Sequence, residues 1–331
     1  MTAAASYPWH EALWRRVIAN RAAGRLPHAL LLAGPAGVGK QAFAIRLSNA
    51  LVCATPTAAG DACGTCTACR MISAGTHPDQ HVVEPEEPGK AIRIEAIRQI
   101  TGRSVLAAQD QGYRVFLVQP ADAMNRAAAN ALLKTLEEPP ARSVLILVSS
   151  HPDRLPATIR SRCQTVTFRT PAPELVREWL TGKVEPEAVD GLLAISAGAP
   201  LRAIEAQAED WLGEDRRLAG ELGTLKMRGN NPLQTVEEWE KRPLTLLTDG
   251  LKRCIYDLVR IASGAREGHL YHPGMAGELQ TLAQGIDLQE LFSLQQALLE
   301  LERAAVNNLN SSMMLEHMVN RWLQITREGG R

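Results

Sequence analysis

Residues 29–41 read Ala29-Leu30-Leu31-Leu32-Ala33-Gly34-Pro35-Ala36-Gly37-Val38-Gly39-Lys40-Gln41: a short aliphatic run, a glycine-rich turn, then the opening of a helical pattern. Gly34 to Lys40 fits G-x-x-x-x-G-K, the P-loop pattern. Gly34, Gly37 and Gly39 let backbone N–H groups close around phosphate oxygens, and Lys40 adds a point charge beside them. The following position calls for Ser or Thr, whose hydroxyl holds Mg²⁺. Here it is Gln41, whose carboxamide oxygen is longer and sits elsewhere. The plain alternative is a chance glycine-rich turn.

Short apolar runs alternate with longer helical patterns on both sides of this segment. The candidate strands are Ala29–Ala33, His81–Glu84, Arg114–Val118, Val144–Ser149 and Thr165–Phe168. The candidate helices are Glu11–Ala23, Lys40–Val52, Ile94–Val105, Ala123–Glu138 and a short one near Leu155–Arg160. Strands this apolar, separated by helices, predict an α/β domain whose parallel sheet is covered on both faces. Pro139-Pro140 ends the Ala123–Glu138 helix. Thr170-Pro171-Ala172-Pro173 reads as a linker, followed by short helices at Glu174–Thr181, Glu187–Ala197 and Leu201–Trp211, with a Gly198-Ala199-Pro200 break between the last two. Beyond this no strand pattern is found. Leu251–Ala262, Leu288–Val306 and Met313–Ile325 carry the i, i+3, i+4 spacing of a helical bundle. Three domains are predicted, over 1–169, 170–211 and 212–331.

The 331 residues suit two or three domains. With 45% hydrophobic and 22% charged residues, the composition is that of a soluble globular chain, which excludes disorder and collagen. The longest aliphatic stretches, Leu30–Ala33 and Val144–Val148, are strand-sized and far short of the ~20 residues that cross a bilayer. Met1-Thr2-Ala3-Ala4-Ala5 has no basic region leading into an apolar core, so a cytoplasmic chain with reduced thiols and no membrane contact is expected. Residues 1–170 hold 19 basic and 12 acidic side chains, and residues 171–331 hold 17 and 24. That mildly basic first half leaves nucleic-acid contact open.

Active enzymes with this loop place an Asp, often Asp-Glu, directly after a neighbouring strand to hold Mg²⁺ and orient water. Here Val115-Phe116-Leu117-Val118 runs into Gln119-Pro120-Ala121-Asp122. Neither of the first two positions supplies a carboxylate or a base. Asp122, displaced by about a turn, reads as an N-cap for the next helix. The predicted nucleotide site is folded but chemically retired, so that ATP binding is open and hydrolysis is not expected.

Cys63-Gly64-Thr65-Cys66-Thr67-Ala68-Cys69 gives C-x₂-C-x₂-C, with Cys53 a short distance upstream. Four thiolates at this spacing in a reduced compartment suit tetrahedral zinc, and with four sulfurs no open position remains, so the role is structural. An iron–sulfur cluster or four inert thiols are the alternatives. His77 and His81 read as packing or turn residues, and Cys163 and Cys254 as buried small side chains.

Met124-Asn125-Arg126-Ala127-Ala128-Ala129-Asn130-Ala131-Leu132-Leu133-Lys134-Thr135-Leu136-Glu137-Glu138-Pro139-Pro140 is similar to the signature of clamp-loader ATPase subunits of the AAA+ superfamily. Ser161-Arg162-Cys163 resembles their Ser-Arg-Cys motif. Thr76-His77-Pro78-Asp79 and the Cys₄ module after the P-loop helix fit bacterial members. The resemblance is close to about residue 211 and holds beyond only as a helical domain of suitable length. It implies an AAA+ domain over 1–169 with a zinc module at 53–69, a small helical lid over 170–211 and an all-helical collar over 212–331.

Within that family, the missing post-strand acid and the altered P-loop imply a non-motor, stator-like subunit. Such a subunit completes the ATPase ring that loads the sliding clamp on primed DNA, with gamma/tau and delta as partners. It is then a component of the DNA polymerase III holoenzyme whose polymerase chemistry lies on another subunit. The resemblance gives Arg162 the role of an arginine finger, acting in trans on a neighbouring subunit's ATP, with Arg160 as its control. Arg202 falls where related ATPases place a sensing arginine. Two rivals stand beside this reading: an active ATPase of the gamma/tau type, with Gln41 and Asp122 replacing the usual metal ligands, and a zinc-containing nucleic-acid-binding protein.

Overall fold

The computed structural model describes residues 6–328 apart from 88, 104–111, 229–231, 267–268 and 307–310. The chain divides into two units, Met1–Pro171 and Ala172–Arg331.

In the first unit β1 (Ala29–Ala33), β2 (Gln80–Val83), β3 (Arg114–Val118), β4 (Ser143–Ser149) and β5 (Gln164–Thr167) form one sheet in the order β2-β3-β4-β1-β5. Every pair is parallel. β1, β3 and β4 are buried along their whole length, which is why they read as unbroken apolar runs rather than alternating ones. β5 buries only Val166 and begins one residue earlier than expected.

The helices are α1 (Glu11–Ala22), α2 (Lys40–Val52), α3 (Thr67–Ser73), α4 (Ile94–Arg103), α5 (Arg126–Glu137) and α6 (Ala157–Arg160). Ser104 and Val105, expected at the end of α4, lie outside the described residues. Ala29, Leu31 and Ala33 share one core with Ile97 of α4, Ala128, Leu132 and Leu136 of α5, and Ile159 of α6. Leu30 and Leu32, one pleat out of phase, face the opposite side. The expected helix Ala123–Glu138 starts later. A 3₁₀ turn covers Ala121–Ala123, and the cap of α5 is Asn125, whose Oδ1 accepts the Ala128 N–H at 2.8 Å. Asp122 is therefore not the N-cap.

In the second unit α7 (Pro173–Leu180), α8 (Val189–Ile195) and α9 (Pro200–Ala208) gather around Val176, Leu180, Leu192, Ala203 and Trp211. The bundle that follows comprises α10 (Trp211–Arg228), α11 (Pro232–Glu240), α12 (Leu244–Ala262), α13 (Ala276–Ala283), α14 (Leu288–Val306) and α15 (Ser311–Glu328). Its core includes Leu218, Trp239, Leu251, Leu279, Leu294 and Trp322. Trp211 opens α10 rather than closing the previous helix, because Asp210 takes φ 51° and breaks the chain there.

One polar cluster is sealed inside this unit. Asp215 of α10 accepts from Arg253 of α12 at 2.6 and 2.9 Å. His272 lies between two carboxylates, with Nε2 2.7 Å from Asp215 and Nδ1 2.8 Å from Asp257. Asp257 also accepts the Tyr271 and His272 N–H groups and has Arg260 3.5 Å away. A carboxylate only accepts, so both ring nitrogens must donate and the ring is the imidazolium. Burial alone pushes the His272 pKa down, but hydrogen bonds to Asp215 and Asp257 outweigh it and raise it.

The stability this ion supplies is fully present below the unfolded histidine pKa of about 6.5 and is lost as pH rises through the raised folded value. His272→Gln is expected to cost about 3–5 kcal/mol at pH 6, the range for breaking a buried pair, and to flatten the decline in stability toward pH 9. Urea unfolding of the full chain at both pH values, followed by tryptophan emission, checks this. An unchanged pH dependence in the variant contradicts it.

Candidate functional site

The C-terminal ends of β1, β3 and β4 lie side by side, with Ala33 opposite Ser149 and Val118 opposite Leu147. The crevice beyond such strand ends is where open α/β sheets bind ligands. Gly34 to Gly39 runs from β1 into α2 at this edge.

Lys40, the first residue of α2, is 5% exposed. Its Nζ donates to the Pro35 carbonyl at 2.6 Å and to Ser150 Oγ, just past β4, at 3.0 Å. Burial lowers its pKa to about 8, against the opposing pull of Asp122. Asp122 Oδ1 in turn accepts the Ser150 N–H at 3.1 Å. The carboxylate that faces the loop lysine is thus Asp122, supporting the lysine and its neighbour. At the position where a metal-holding acid is needed, the buried Gln119 donates from Nε2 to Glu84 at 2.8 Å.

An aromatic cover lies against the loop. Trp9 Nε1 donates to the Val38 carbonyl at 2.9 Å, and His10 Nε2 lies 2.8 Å from the same oxygen. Burial pushes the His10 pKa down to about 4, so the ring is neutral, and a carbonyl acceptor places its proton on Nε2. Tyr7 stacks on Trp9 with centroids 5.0 Å apart, and His10 meets Phe43 and Phe168 edge-on. The sequence reading missed Tyr7, Trp9, His10 and Ser150, since nothing local marks an N-terminal segment that folds back over a loop thirty residues on.

The four cysteines converge. Their ligand atoms all lie within 4.8 Å of one another, with Cys53–Cys66 and Cys63–Cys69 at 3.9 Å and Cys53–Cys69 at 3.6 Å. Disulfide sulfurs sit about 2.05 Å apart, so these thiols are free. Four sulfurs about 2.3 Å from a tetrahedral centre would stand about 3.8 Å from one another, so the set fits a metal ion. Backbone N–H groups of Cys63, Cys66 and Cys69 point at the sulfurs of Cys53, Cys63 and Cys66 at 3.3–3.4 Å. The last of these bonds caps α3. The Thr55 hydroxyl and backbone donors hold the Cys63 thiol down at about 5, whereas burial pushes Cys69 up to about 12. The two histidines stand apart from the cluster in role: His77 Nδ1 accepts the Asp79 N–H, and His81 stacks on Phe116. Cys163 and Cys254 are buried.

Arg162 lies just past α6, donating to the Thr158 carbonyl at 3.1 Å and pairing with Glu137 of α5 at 2.9 Å. Its side chain is 38% exposed. The chain turns through Ser161 to Cys163, with the Arg162 and Cys163 N–H groups on the Ile159 and Arg160 carbonyls, so Arg160 and Arg162 point to different sides. In the second unit Arg202 lies 3.5 Å from Asp249 and over the Trp211 ring at 5.0 Å.

A parallel sheet with a G-x-x-x-x-G-K loop between β1, the neighbour of the central strand β4, and α2 defines a P-loop domain. Residues 9–172 match the family described as DNA polymerase III, delta subunit, and residues 209–324 its C-terminal counterpart. DNA polymerase III subunit delta' of Pseudomonas aeruginosa is 38% identical over 98% of this chain and 99% of its own length. The Escherichia coli K12 subunit delta' is 34% identical over 75% of this chain and 76% of its own. DNA polymerase III subunit gamma/tau of Mycobacterium tuberculosis H37Rv is 35% identical over 61% of this chain and 35% of its own. The chain belongs to the delta' family of DNA polymerase III subunits. Among the described residues no helix is long and apolar enough to cross a membrane.

The loop geometry generates one test. Gly39 takes φ +88°, and a Cβ there would stand 2.7 Å from the Tyr7 ring and 2.9 Å from His10. Gly24 takes φ +67° in open space, so Gly24→Ala should cost only the left-handed backbone term of about 1–2 kcal/mol. Gly39→Ala should cost about 1–3 kcal/mol more for overpacking the cover, as measured by urea unfolding. Equal costs for the two variants would show that the aromatic cover does not press on the loop.

Proposed function

We propose that this chain is the non-motor, stator-like subunit of a bacterial clamp loader. It completes the ring in which gamma/tau subunits hydrolyse ATP, with delta as a further partner, and the ring loads a sliding clamp on primed DNA. The observation that carries this reading is the treatment of Lys40: its charge is satisfied by Pro35, Ser150 and Asp122, while Gln41 and Gln119 occupy the two metal-holding positions. An amide oxygen is neither a hard anionic ligand for Mg²⁺ nor a base for water. Gly34, Gly37, Gly39 and Lys40 still form a cradle in which ATP could bind without turnover. The polymerase chemistry of the holoenzyme belongs to another subunit.

On this reading residues 1–169 form the AAA+ domain, 170–211 the lid and 212–331 the collar. Cys53, Cys63, Cys66 and Cys69 hold a structural zinc ion, which leaves no position open for substrate. Arg162 supplies its guanidinium to a neighbouring subunit's γ-phosphate, where charge develops in the transition state. Its partial exposure and its exposed partner Glu137 support this, because a surface pair contributes only about 0–1 kcal/mol to folding.

Arg162→Ala should therefore leave stability within about 1 kcal/mol of wild type and leave ring assembly intact. In a reconstituted ring it should slow DNA-stimulated ATP hydrolysis and clamp loading. A trans-acting arginine is worth roughly 10³–10⁵ at its own site, diluted in bulk by the sites that keep theirs. Arg162→Lys should not rescue, since an ammonium lacks the planar two-pronged contact, and Arg160→Ala should behave as wild type. Normal loading by a fully assembled Arg162→Ala ring overturns the assignment.

A further inference from the structure

α2 carries Lys40 at one end and runs directly into Cys53 at the other. Cys53 and Cys63 bracket residues 54–62, Ala-Thr-Pro-Thr-Ala-Ala-Gly-Asp-Ala, which contain no large apolar side chain to pack on its own. The tip of this loop is nevertheless docked. Gly60 N–H donates to the Thr57 carbonyl at 2.9 Å, and Asp61 N–H to Thr57 Oγ1 at 3.1 Å. The Asp61 carboxylate takes two bonds from Arg46 of α2, at 2.6 and 2.9 Å, and Arg46 Nη1 reaches Glu11 of α1 at 3.1 Å. The same guanidinium lies 3.9 Å from the centre of the Trp14 ring, and Trp14 Nε1 donates to the Ala59 carbonyl at 3.0 Å. Gly60 presses so closely on α1 that a Cβ would stand 2.5 Å from Ile18 Cγ2.

These contacts join the cysteine cluster to α1, and the turn that opens α1 carries Trp9 and His10 onto the Val38 carbonyl of the phosphate loop. Arg46 is 9% exposed and Trp14 1%. A buried guanidinium that loses its carboxylate becomes an uncompensated charge, so the docked arrangement depends on the loop being held at both ends. We infer that metal ligation by the four cysteines fixes α1 and, through it, the Trp9–His10 cover of the phosphate loop, with Arg46 and Asp61 as positioning residues. The inference rests on the reading that these cysteines hold zinc. It assigns the module a task that a closed metal site otherwise lacks: setting how tightly the N-terminal segment lies on a loop at the far end of α2.

Hydrogen exchange of the full-length chain tests this in three states: as purified with its zinc, stripped by a chelator, and as the Asp61→Asn variant with zinc bound. Stripping should speed exchange of the α1 amides and of 34–39 by roughly tenfold or more, with β1 and β3 still protected. Asp61→Asn should give the same acceleration in α1 while retaining stoichiometric zinc. Adding zinc back should restore protection to the stripped wild type and leave the variant unchanged. Acceleration confined to 53–69, or loss of the sheet along with α1, overturns the inference while leaving the zinc reading intact. Purified chain that holds no metal yet protects α1 fully overturns both.

Discussion

A buried ammonium ion has to be answered by acceptors, and in the first unit that ion is Lys40. The Pro35 carbonyl and Ser150 Oγ accept its hydrogen bonds, and Asp122 accepts the Ser150 N–H while supplying the opposing charge. Each of these groups is delivered by a different stretch of chain: the glycine-rich loop, the residue after β4 and the turn after β3. They meet only because three parallel strands end in register at one edge of the sheet. Burying a charge in this way is tolerable when its partners are fixed in place. That ties the loop conformation to the strand order.

The same arrangement separates shape from chemistry. On the proposed reading, the loop, the sheet edge and α2 keep the shape of a phosphate cradle. The two side chains that would bring a cation and a base are amides, and Gln119 is engaged with Glu84. The proposed ring role without turnover would have this consequence, since an interface needs the fold while hydrolysis needs the acid and the hydroxyl. The similarity to gamma/tau over 61% of this chain agrees with the proposed place beside such subunits. Arg162 is partly exposed and Lys40 enclosed, a contrast that agrees with the proposal that the first serves a neighbour and the second its own fold.

Much of the first unit was legible because strands buried on both faces write themselves as unbroken apolar runs. Ala29–Ala33, Arg114–Val118 and Lys40–Val52 were located to the residue. The cysteine cluster was legible for a different reason, as four ligands at short spacing have few uses. Asp122 was misread as a cap because Asn125, three residues on, had an equally good capping side chain, and only tertiary structure shows that Asp122 is needed by Ser150. α3 was missed because its cap is a cysteine sulfur, outside the usual Ser, Thr, Asp and Asn signals. α10, α11 and α13 were missed where periodicity is diluted by charge and glycine. The aromatic cover and the Arg46–Asp61 contact join segments that share no local pattern. The one hint was a charged residue at position 46, on a face of α2 that is otherwise largely apolar.

On the proposed reading this chain keeps a nucleotide fold without nucleotide chemistry. Multiple-turnover ATP hydrolysis by the purified chain, with Mg²⁺ and with or without primed DNA, tests it most directly. Background rates that neither DNA nor Lys40→Ala changes are expected. A rate that rises on adding DNA and vanishes in Lys40→Ala would contradict it and make the chain a motor.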